Sequence, residues 1–333
     1  MVKFNLMNKK ILFISPEAFG YYKSIIKSLT KKGSEVTWVN QIPSNNVAIK
    51  AFIRFFPNIG AKIAKRHFNK SISWESEYDY VFVIKGEGLS EKTIKKMRCK
   101  FSQAKFIYFN WDSFRNSESA LKKIKHFDSV LSFDLLDCDK IKNVKHLPLF
   151  YTDDYKSSET NTTQNYIAIF IGTIHSNRYQ IVESVSRVLE KETGLKSFKY
   201  YFFANKLIFN IYKLLKHEFR SIDPNKINFE PLSSASISNK IKKSKIIIDI
   251  SHSKQTGLTM RTIETIGMKC KLITNNPNVA KYDFYHEDNI FILDVDDISI
   301  PKSFIDSPYV DLPSDVYEKY HVDNWVNQVL DVE

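Results

Sequence analysis

The chain has 333 residues, of which 43% are hydrophobic and 26% are charged. This length predicts about two domains, and the composition supplies enough apolar residues for packed cores, which excludes a disordered chain or a coiled-coil array. Lysine and arginine number 49 against 37 aspartates and glutamates, a formal net charge of +12. Such an excess points to a polyanionic partner: nucleic acid, an anionic membrane surface or a phosphorylated substrate.

The cysteines and the start of the chain restrict its location. Cys99, Cys138 and Cys270 lie far apart and form no CxxC pair, so neither a zinc site nor a redox motif is expected. No apolar run reaches the roughly 18 residues of a membrane span, and the first residues lack the apolar stretch and cleavage site of a secretory signal. We therefore expect a cytoplasmic protein.

Short β-rich runs alternate with helical patterns along the whole chain. The first run, 11–15, precedes an amphipathic helix at 22–32 and a strand at 36–39, which together make a βαβ unit. Further strands are predicted at 80–84, 105–109, 129–133, 166–171, 199–203, 227–230, 245–250, 271–274 and 290–293. Helices are predicted at 90–97, 117–126, 176–193, 236–243, 257–269 and 315–330.

The alternation implies an α/β fold with parallel sheets and helices on both faces. A polar stretch without periodicity, 151–165, is the best candidate for a linker between two such sets. The sequence therefore predicts two Rossmann-like domains facing a cleft. In such sheets ligands bind at the carboxyl ends of the strands.

Two segments concentrate the positive charge on amphipathic helical patterns. Segment 47–70 has an aromatic-rich apolar face and no acid, and Pro57 is expected to kink or split its helix. Its cations are Lys50, Arg54, Lys62, Lys65, Arg66 and Lys70. In segment 201–219, Lys206, Asn210, Lys213 and His217 lie on one side, and Leu207, Ile208, Ile211, Leu214 and Leu215 on the other.

Each segment is either a basic helix lying on an anionic membrane or a domain helix with a solvated lysine face. The six cations, the lack of acids and the aromatic content favour the membrane interpretation for 47–70. The domain-helix interpretation is favoured for 201–219.

Two loops at strand ends in the first half carry a carboxylate. Lys85-Gly86-Glu87-Gly88 follows one predicted strand, and Asn110-Trp111-Asp112-Ser113 follows the next. Glu87 or Asp112 could act as a general base that deprotonates an acceptor hydroxyl. The alternative for each is a helix cap or a turn residue. No G-x-G-x-x-G follows the first strand and no Walker A motif occurs, which argues against the usual dinucleotide and NTPase sites.

The loops of the second half suit a diphosphate. Gly172-Thr173 ends a strand, and the helix start that follows supplies backbone N–H groups and Arg178. Arg261 and Glu264 lie three residues apart on one helical face, where an arginine can bind a pyrophosphate and a glutamate can accept from ribose hydroxyls. The alternative is an i,i+3 surface ion pair.

These residues carry a family resemblance. The sequence MRTIETIGMKCKLIT at 260–274 resembles the "R-T-x-E" helix start and the following strand of GT-B glycosyltransferases. The closer match is the branch that includes spore-maturation-type and capsular or O-antigen polysaccharide glycosyltransferases. Phe170-Ile171-Gly172-Thr173 with Asn177-Arg178 looks like the opening of their C-terminal domain, and the loops at 85–88 and 111–113 look like their N-terminal loops.

The resemblance implies an acceptor domain at 1–155, a nucleotide-sugar domain at 156–313 and a C-terminal helix, 314–333, that packs back toward the first domain. It implies no cofactor and no bound metal. Two positions depart from the family pattern. Lys269 stands where a glycine is usual, and Thr256 stands where the Glu-x7-Glu motif of retaining members would begin, which favours an inverting reaction. The implied donor-binding residues are Gly172, Thr173, Arg178, His252, Lys254, Gly257, Leu258, Thr259, Arg261 and Glu264.

The expected function is transfer of a sugar from a nucleotide sugar to a lipid-linked saccharide in bacterial O-antigen, capsule or lipopolysaccharide assembly. The enzyme would sit peripherally on the inner face of the cytoplasmic membrane, with Lys50, Arg54, Lys62, Lys65 and Arg66 at the acceptor or membrane side. The alternatives are a noncatalytic nucleotide- or polysaccharide-binding scaffold, a GT-B epimerase and a nucleic-acid-binding protein. The last is disfavoured because the cations lie on amphipathic stripes and no RNA-recognition or zinc signature occurs.

Overall fold

The computed structural model describes residues 6–17, 20–44, 56–116, 118–157, 164–252 and 256–331. These residues form two compact units, one within Met1–Pro148 and Val322–Glu333, the other within Leu149–His321. The division falls after Pro148, whereas the sequence places it at 155/156. The start of the predicted linker belongs to the second unit because Tyr151 and Tyr155 are buried there.

The first unit is built on a six-stranded, fully parallel sheet in the order β2-β1-β3-β4-β5-β6. Its strands are β1 Lys10–Ser15, β2 Glu35–Asn40, β3 Tyr80–Ile84, β4 Lys105–Asn110, β5 Ser129–Ser132 and β6 Val144–His146. Its helices are α1 Tyr21–Lys31, α2 Pro57–Ser71, α3 Glu91–Lys100, α4 Glu118–Ile124, α5 Leu135–Lys140 and, from the end of the chain, α13 Val322–Leu330.

The second unit repeats this plan with a parallel sheet in the order β12-β11-β10-β7-β8-β9. Its strands are β7 Tyr166–Thr173, β8 Phe198–Phe202, β9 Ile227–Asn228, β10 Ser244–Asp249, β11 Lys271–Thr274 and β12 Ile290–Ile292. Its helices are α6 Arg178–Thr193, α7 Lys206–Leu215, α8 His217–Arg220, α9 Ser234–Ile241, α10 Met260–Gly267, α11 Lys302–Asp306 and α12 Ser314–Lys319.

Continuous apolar runs form the inner strands because both faces of each sheet are covered. In β1, Leu12 and Ile14 belong to the core beneath α3, while Phe13 on the opposite face stacks on Phe82 at 5.0 Å. The α13 residue Trp325 packs on that opposite face, edge-on against Phe109 at 5.0 Å, and its indole N–H donates to the Pro148 carbonyl at 2.9 Å. The C-terminal helix thus completes the core of the first unit.

In each sheet the strand order reverses at one point, which is where parallel α/β sheets bind ligands. The reversal lies between β1 and β3 in the first unit and between β7 and β10 in the second. The predicted Glu87 loop follows β3, and Gly172 and Thr173 end β7. The fold therefore places two predicted site loops at the expected positions.

Three helix predictions can be compared with the structure. α2 begins at Pro57, which occupies the first turn, where its missing N–H is harmless. The predicted 47–55 part lies outside the described residues. The predicted final helix at 315–330 is two helices, α12 and α13, which belong to different units. In α7 Phe209 is buried and Lys206 is exposed, as expected of a domain helix with a solvated lysine face, and the aliphatic side faces solvent as well. Within the described ranges, no helix combines the length and apolarity that a membrane crossing needs.

Candidate functional site

The first-unit loops bring two carboxylates to one lysine. Lys85 Nζ lies 2.8 Å from Glu87 Oε1 and 3.6 Å from Asp112 Oδ2. The loops meet because β3 and β4 are neighbouring strands in parallel register, with Ile84 opposite Phe109. Burial disfavours the Lys85 ammonium, but its hydrogen bond to Glu87 and the charges of Glu87 and Asp112 outweigh that effect and raise its pKa. Lys85 therefore stays charged between the two carboxylates.

The backbone around Glu87 is held in an unusual shape. Lys85 and Gly86 both have left-handed conformations, with φ of 65° and 58°, and the Tyr108 hydroxyl donates to the Lys85 carbonyl at 2.7 Å. At Gly88 a β carbon would lie 2.2 Å from the Gln41 carbonyl oxygen, so only glycine fits. This geometry thus fixes the backbone around Glu87, whose side chain is 50% exposed.

Asp112 is a turn residue, which is the alternative that the sequence offered for it. Its Oδ1 accepts from the N–H of Ser113 at 3.0 Å and from the Asn116 side-chain amide at 3.0 Å, as a turn residue does. Its Oδ2 is the oxygen that faces Lys85. One oxygen of Asp112 is therefore committed to its own turn.

A buried carboxylate beneath this turn fixes it in place. Asp137 in α5 accepts from the Ser113 hydroxyl at 3.1 Å, the Phe114 N–H at 3.1 Å and the Ser132 hydroxyl at 2.7 Å. A buried acceptor with this many donors costs little as long as all of them remain. Asp137 therefore positions the loop that carries Asp112.

In the second unit, Arg178 opens α6 beside the end of β7. One of its terminal nitrogens donates to the Thr173 carbonyl at 2.8 Å, while its buried Nε has no hydrogen-bond partner among the described residues. Burial lowers the pKa of Arg178, and the nearby charge of Asp249 opposes that effect. A β carbon at Gly172 would lie 3.0 Å from the Phe170 ring and in ordinary contact, at 3.7 Å, with the Arg178 guanidinium. A buried donor at a helix start suits an anionic oxygen.

His175 lies in the same loop. Burial, and then the positive charges of Arg178 and His252, lower its pKa from 6.5 to about 4. Its buried Nδ1 has no hydrogen-bond partner in the described part of the chain, and its ring centroid lies 5.3 Å from that of the exposed His252. His175 is therefore neutral near neutral pH.

Arg261 and Glu264 contact each other directly in α10. Arg261 Nη1 lies 2.7 Å from Glu264 Oε2, and the glutamate is buried, so the pair is not the surface ion pair that the sequence allowed. The guanidinium also lies 5.9 Å from the centre of the Tyr155 ring. Burial, and then the Glu264 charge, raise the pKa of Tyr155, while Arg261 opposes them. The described structure therefore holds a half-buried cation together with a buried carboxylate and a buried phenol at this helix.

The start of α10 is built around another buried carboxylate, Asp249, at the end of β10. Its Oδ2 accepts from the Thr262 hydroxyl at 2.8 Å and from that of Thr259, which also caps α10 by accepting from the Thr262 N–H at 3.2 Å. Leu258 is buried, and the carbonyl of Gly257 accepts from the Asn276 amide at 3.3 Å. The predicted Lys254 lies outside the described residues.

Lys269, where the sequence resemblance expects a glycine, has a backbone conformation that favours glycine. Its φ is 52°, in the left-handed region just after the end of α10. Its ammonium lies 2.6 Å from Asp311 Oδ1. The departure in residue type therefore leaves the backbone turn after the Arg261–Glu264 helix in place.

The predicted acceptor or membrane residues are placed only in part. Lys62, Lys65 and Arg66 are exposed on α2, and Lys50 and Arg54 lie outside the described residues.

Three further residues at these loops fall outside the predicted site: Lys85, His175 and Asp249. Asp249 has a readable signal, since it is a carboxylate that ends a buried strand. No signal in the sequence reveals the partners of Lys85 or the burial of His175, because both depend on tertiary packing.

Comparison with solved structures identifies the fold. HepE from Anabaena, in complex with UDP and glucose, matches with a TM-score of 0.59 at 11% identity, covering 97% of this chain and 99% of that one. The same protein in complex with UDP-glucose matches at 0.60 and 10% identity, over 97% and 98%. The lipopolysaccharide outer core galactosyltransferase WaaB, in its apo form, matches at 0.50 and 12% identity, over 97% and 99%. No protein-family model and no curated protein sequence matches the chain.

These likenesses are of fold, and they extend over nearly the whole chain. The predicted GT-B fold class, with two Rossmann-like units and parallel sheets, is confirmed.

Proposed function

We propose that the protein is a metal-independent, inverting glycosyltransferase that moves a sugar from a nucleotide sugar to a lipid-linked saccharide in bacterial surface polysaccharide assembly. The observation that carries the proposal is the likeness in fold to HepE in complex with UDP-glucose, together with half-buried arginines in the first turns of α6 and α10, two helices that follow strand ends in the second unit. Peripheral attachment to the inner face of the cytoplasmic membrane, through the cations of 47–70, is part of the same proposal.

The second unit would hold the donor. Arg178 Nε and the backbone N–H groups at the α6 start would bind the diphosphate, with Arg261 as a second cation. Glu264 would accept from the ribose hydroxyls, while Arg261 fixes its orientation. As the bond between the sugar and the diphosphate breaks, negative charge develops on the leaving group, and these fixed donors would stabilise it.

The first unit would supply the base. Glu87 suits this role better than Asp112, because half of its side chain is exposed and its carboxylate is free of the turn hydrogen bonds that occupy Asp112 Oδ1. Glu87 would take the proton of the acceptor hydroxyl as that oxygen attacks the anomeric carbon. Lys85 would be a positioning residue that holds the two carboxylates together.

Donor binding is tested by a thermal-shift screen of nucleoside diphosphates and nucleotide sugars. A true donor at a hundred times its dissociation constant stabilises the protein by about 2.7 kcal/mol. Arg178→Met should abolish the shift, and Arg187→Met, which removes another arginine of α6, should keep it. A screen in which no nucleotide raises the melting temperature would refute the proposal.

The base is tested by Glu87→Gln. Removing a general base costs about 10²- to 10⁴-fold in turnover, and donor affinity should stay unchanged. Glu77→Gln, at an exposed glutamate of the same unit, is the matched control. Near-normal turnover of Glu87→Gln, with loss in Asp112→Asn, would transfer the role to Asp112.

A further inference from the structure

Helix α7 of the second unit exposes a continuous aliphatic side. Leu207, Ile208, Ile211, Leu214 and Leu215 are between 46% and 76% exposed. At about 100° per residue these five side chains fall within an arc of about 120°. Contiguous apolar patches of this kind on a folded surface mark a binding face.

The helix is firmly docked, so the exposure does not come from a detached segment. Its opposite side carries Phe209, which is buried and packs edge-on against Phe203 at 5.6 Å, Phe219 at 6.2 Å and Phe229 at 6.0 Å. Tyr212 packs on Phe203 at 5.8 Å. The aromatic side therefore holds α7 on the unit and leaves the aliphatic side without a partner from the described chain.

The segment that carries the aliphatic side is basic. Lys206, Lys216, His217 and Arg220 are exposed, and Glu218 is the only acid between 204 and 220. Leucine and isoleucine flanked by lysine and arginine suit an anionic bilayer, where aliphatic groups enter the headgroup boundary and long cationic side chains reach the phosphates. Protein interfaces favour aromatic anchors, and here the aromatic residues point inward.

The size of the face also favours a lipid surface. Ten residues at about 1.5 Å each make a helix of about 15 Å, which is short beside the roughly 800 Å² per partner of a stable protein complex. Shallow insertion into a bilayer has no such size requirement, because several weak elements act together on one surface.

We propose that α7 inserts its aliphatic side into the headgroup region of an anionic lipid bilayer. This adds a second-unit element to the membrane contact of the proposed function, which rests on 47–70. Vesicle binding needs no nucleotide sugar, so its result is independent of whether sugar transfer occurs.

The test is co-sedimentation of the full chain with vesicles of phosphatidylglycerol and phosphatidylcholine, compared with phosphatidylcholine alone. Leu207→Asp with Leu214→Asp should weaken binding to the anionic vesicles by at least about tenfold. Leu195→Asp, at a leucine of the same unit that is 45% exposed outside α7, should bind as the wild type does. Lys206→Gln with Lys216→Gln should weaken binding most at low salt, where phosphate contacts are least screened.

Each result decides the proposal, provided that the variants keep the melting temperature of the wild type. It is overturned if the wild type fails to sediment with anionic vesicles, or if the aspartate variant binds as well as the control. It is also overturned if the wild type forms a dimer that the same variant dissociates while vesicle binding stays unchanged. That last result would assign the face to a second copy of the chain.

Discussion

His175 should make the protein less stable below neutral pH. Its pKa in the folded protein is about 4, below the ordinary 6.5, so the unfolded chain binds a proton first as the pH falls. The stability that depends on neutral His175 is therefore complete above about pH 6.5 and is lost progressively down to about pH 4. Linkage between these two values gives a loss of about 2 kcal/mol at pH 5 and about 3 kcal/mol at most.

Two measurements check this. Proton NMR titration of His175 should give the low pKa directly, and Arg178→Met should raise it, because Arg178 is one of the charges that lower it. Urea unfolding at several pH values should show a steeper loss of stability for the wild type than for His175→Gln. The exposed His217→Gln should keep the steep loss. An NMR pKa near 6.5, or identical pH dependence in wild type and His175→Gln, would refute the reasoning.

Three other substitutions test the loops. Asp137→Ala leaves several buried donors unsatisfied and should lower the free energy of unfolding, measured in urea, by about 2–4 kcal/mol. The control Asp139→Ala, at an exposed position of the same helix, should change it by less than about 0.5 kcal/mol. Gly267→Ala places a β carbon 2.5 Å from a backbone oxygen, so it should destabilise the folded protein by about 1–3 kcal/mol. A melting temperature at or above that of the wild type would contradict this prediction. Lys85→Met should reduce kcat about tenfold or more with donor affinity unchanged, while Lys95→Met should alter neither.

Much of the fold can be predicted from the sequence because the inner strands are buried on both faces. Tyr80–Ile84 and Lys271–Thr274 match their predictions at both ends, since a continuous apolar run leaves little choice of register or length. The sequence does not predict the short strand Val144–His146 or the short helix Leu135–Lys140. Each is too short to show a period, and the strand is an edge strand with an exposed lysine at its centre.

The candidate site, too, can be predicted from the sequence only in part. That Glu87 and Asp112 lie at strand ends can be read from the sequence. That they share Lys85 cannot, because this requires β3 and β4 to be neighbours, and strand order is a tertiary property. The same limit applies to Arg261 and Glu264: their spacing predicts contact, but their burial depends on Tyr155, more than a hundred residues away in the chain.

Helix α7 shows why an amphipathic pattern alone does not predict which side of a helix is exposed. A helical wheel reports that polar and apolar residues are segregated, but not which side the protein covers. Here two apolar sides compete, an aromatic one with Phe209 and Tyr212 and an aliphatic one with the leucines. The aromatic side is buried because three phenylalanines pack on Phe209. They are Phe203 just after β8, Phe219 in α8 and Phe229 just after β9. The aliphatic side therefore remains exposed in a segment whose net charge is positive. The net charge of +12 thus accompanies an apolar surface in the second unit, as the sequence predicts also for 47–70, and this combination favours an anionic bilayer over a nucleic acid, which would contact cations without exposed leucines.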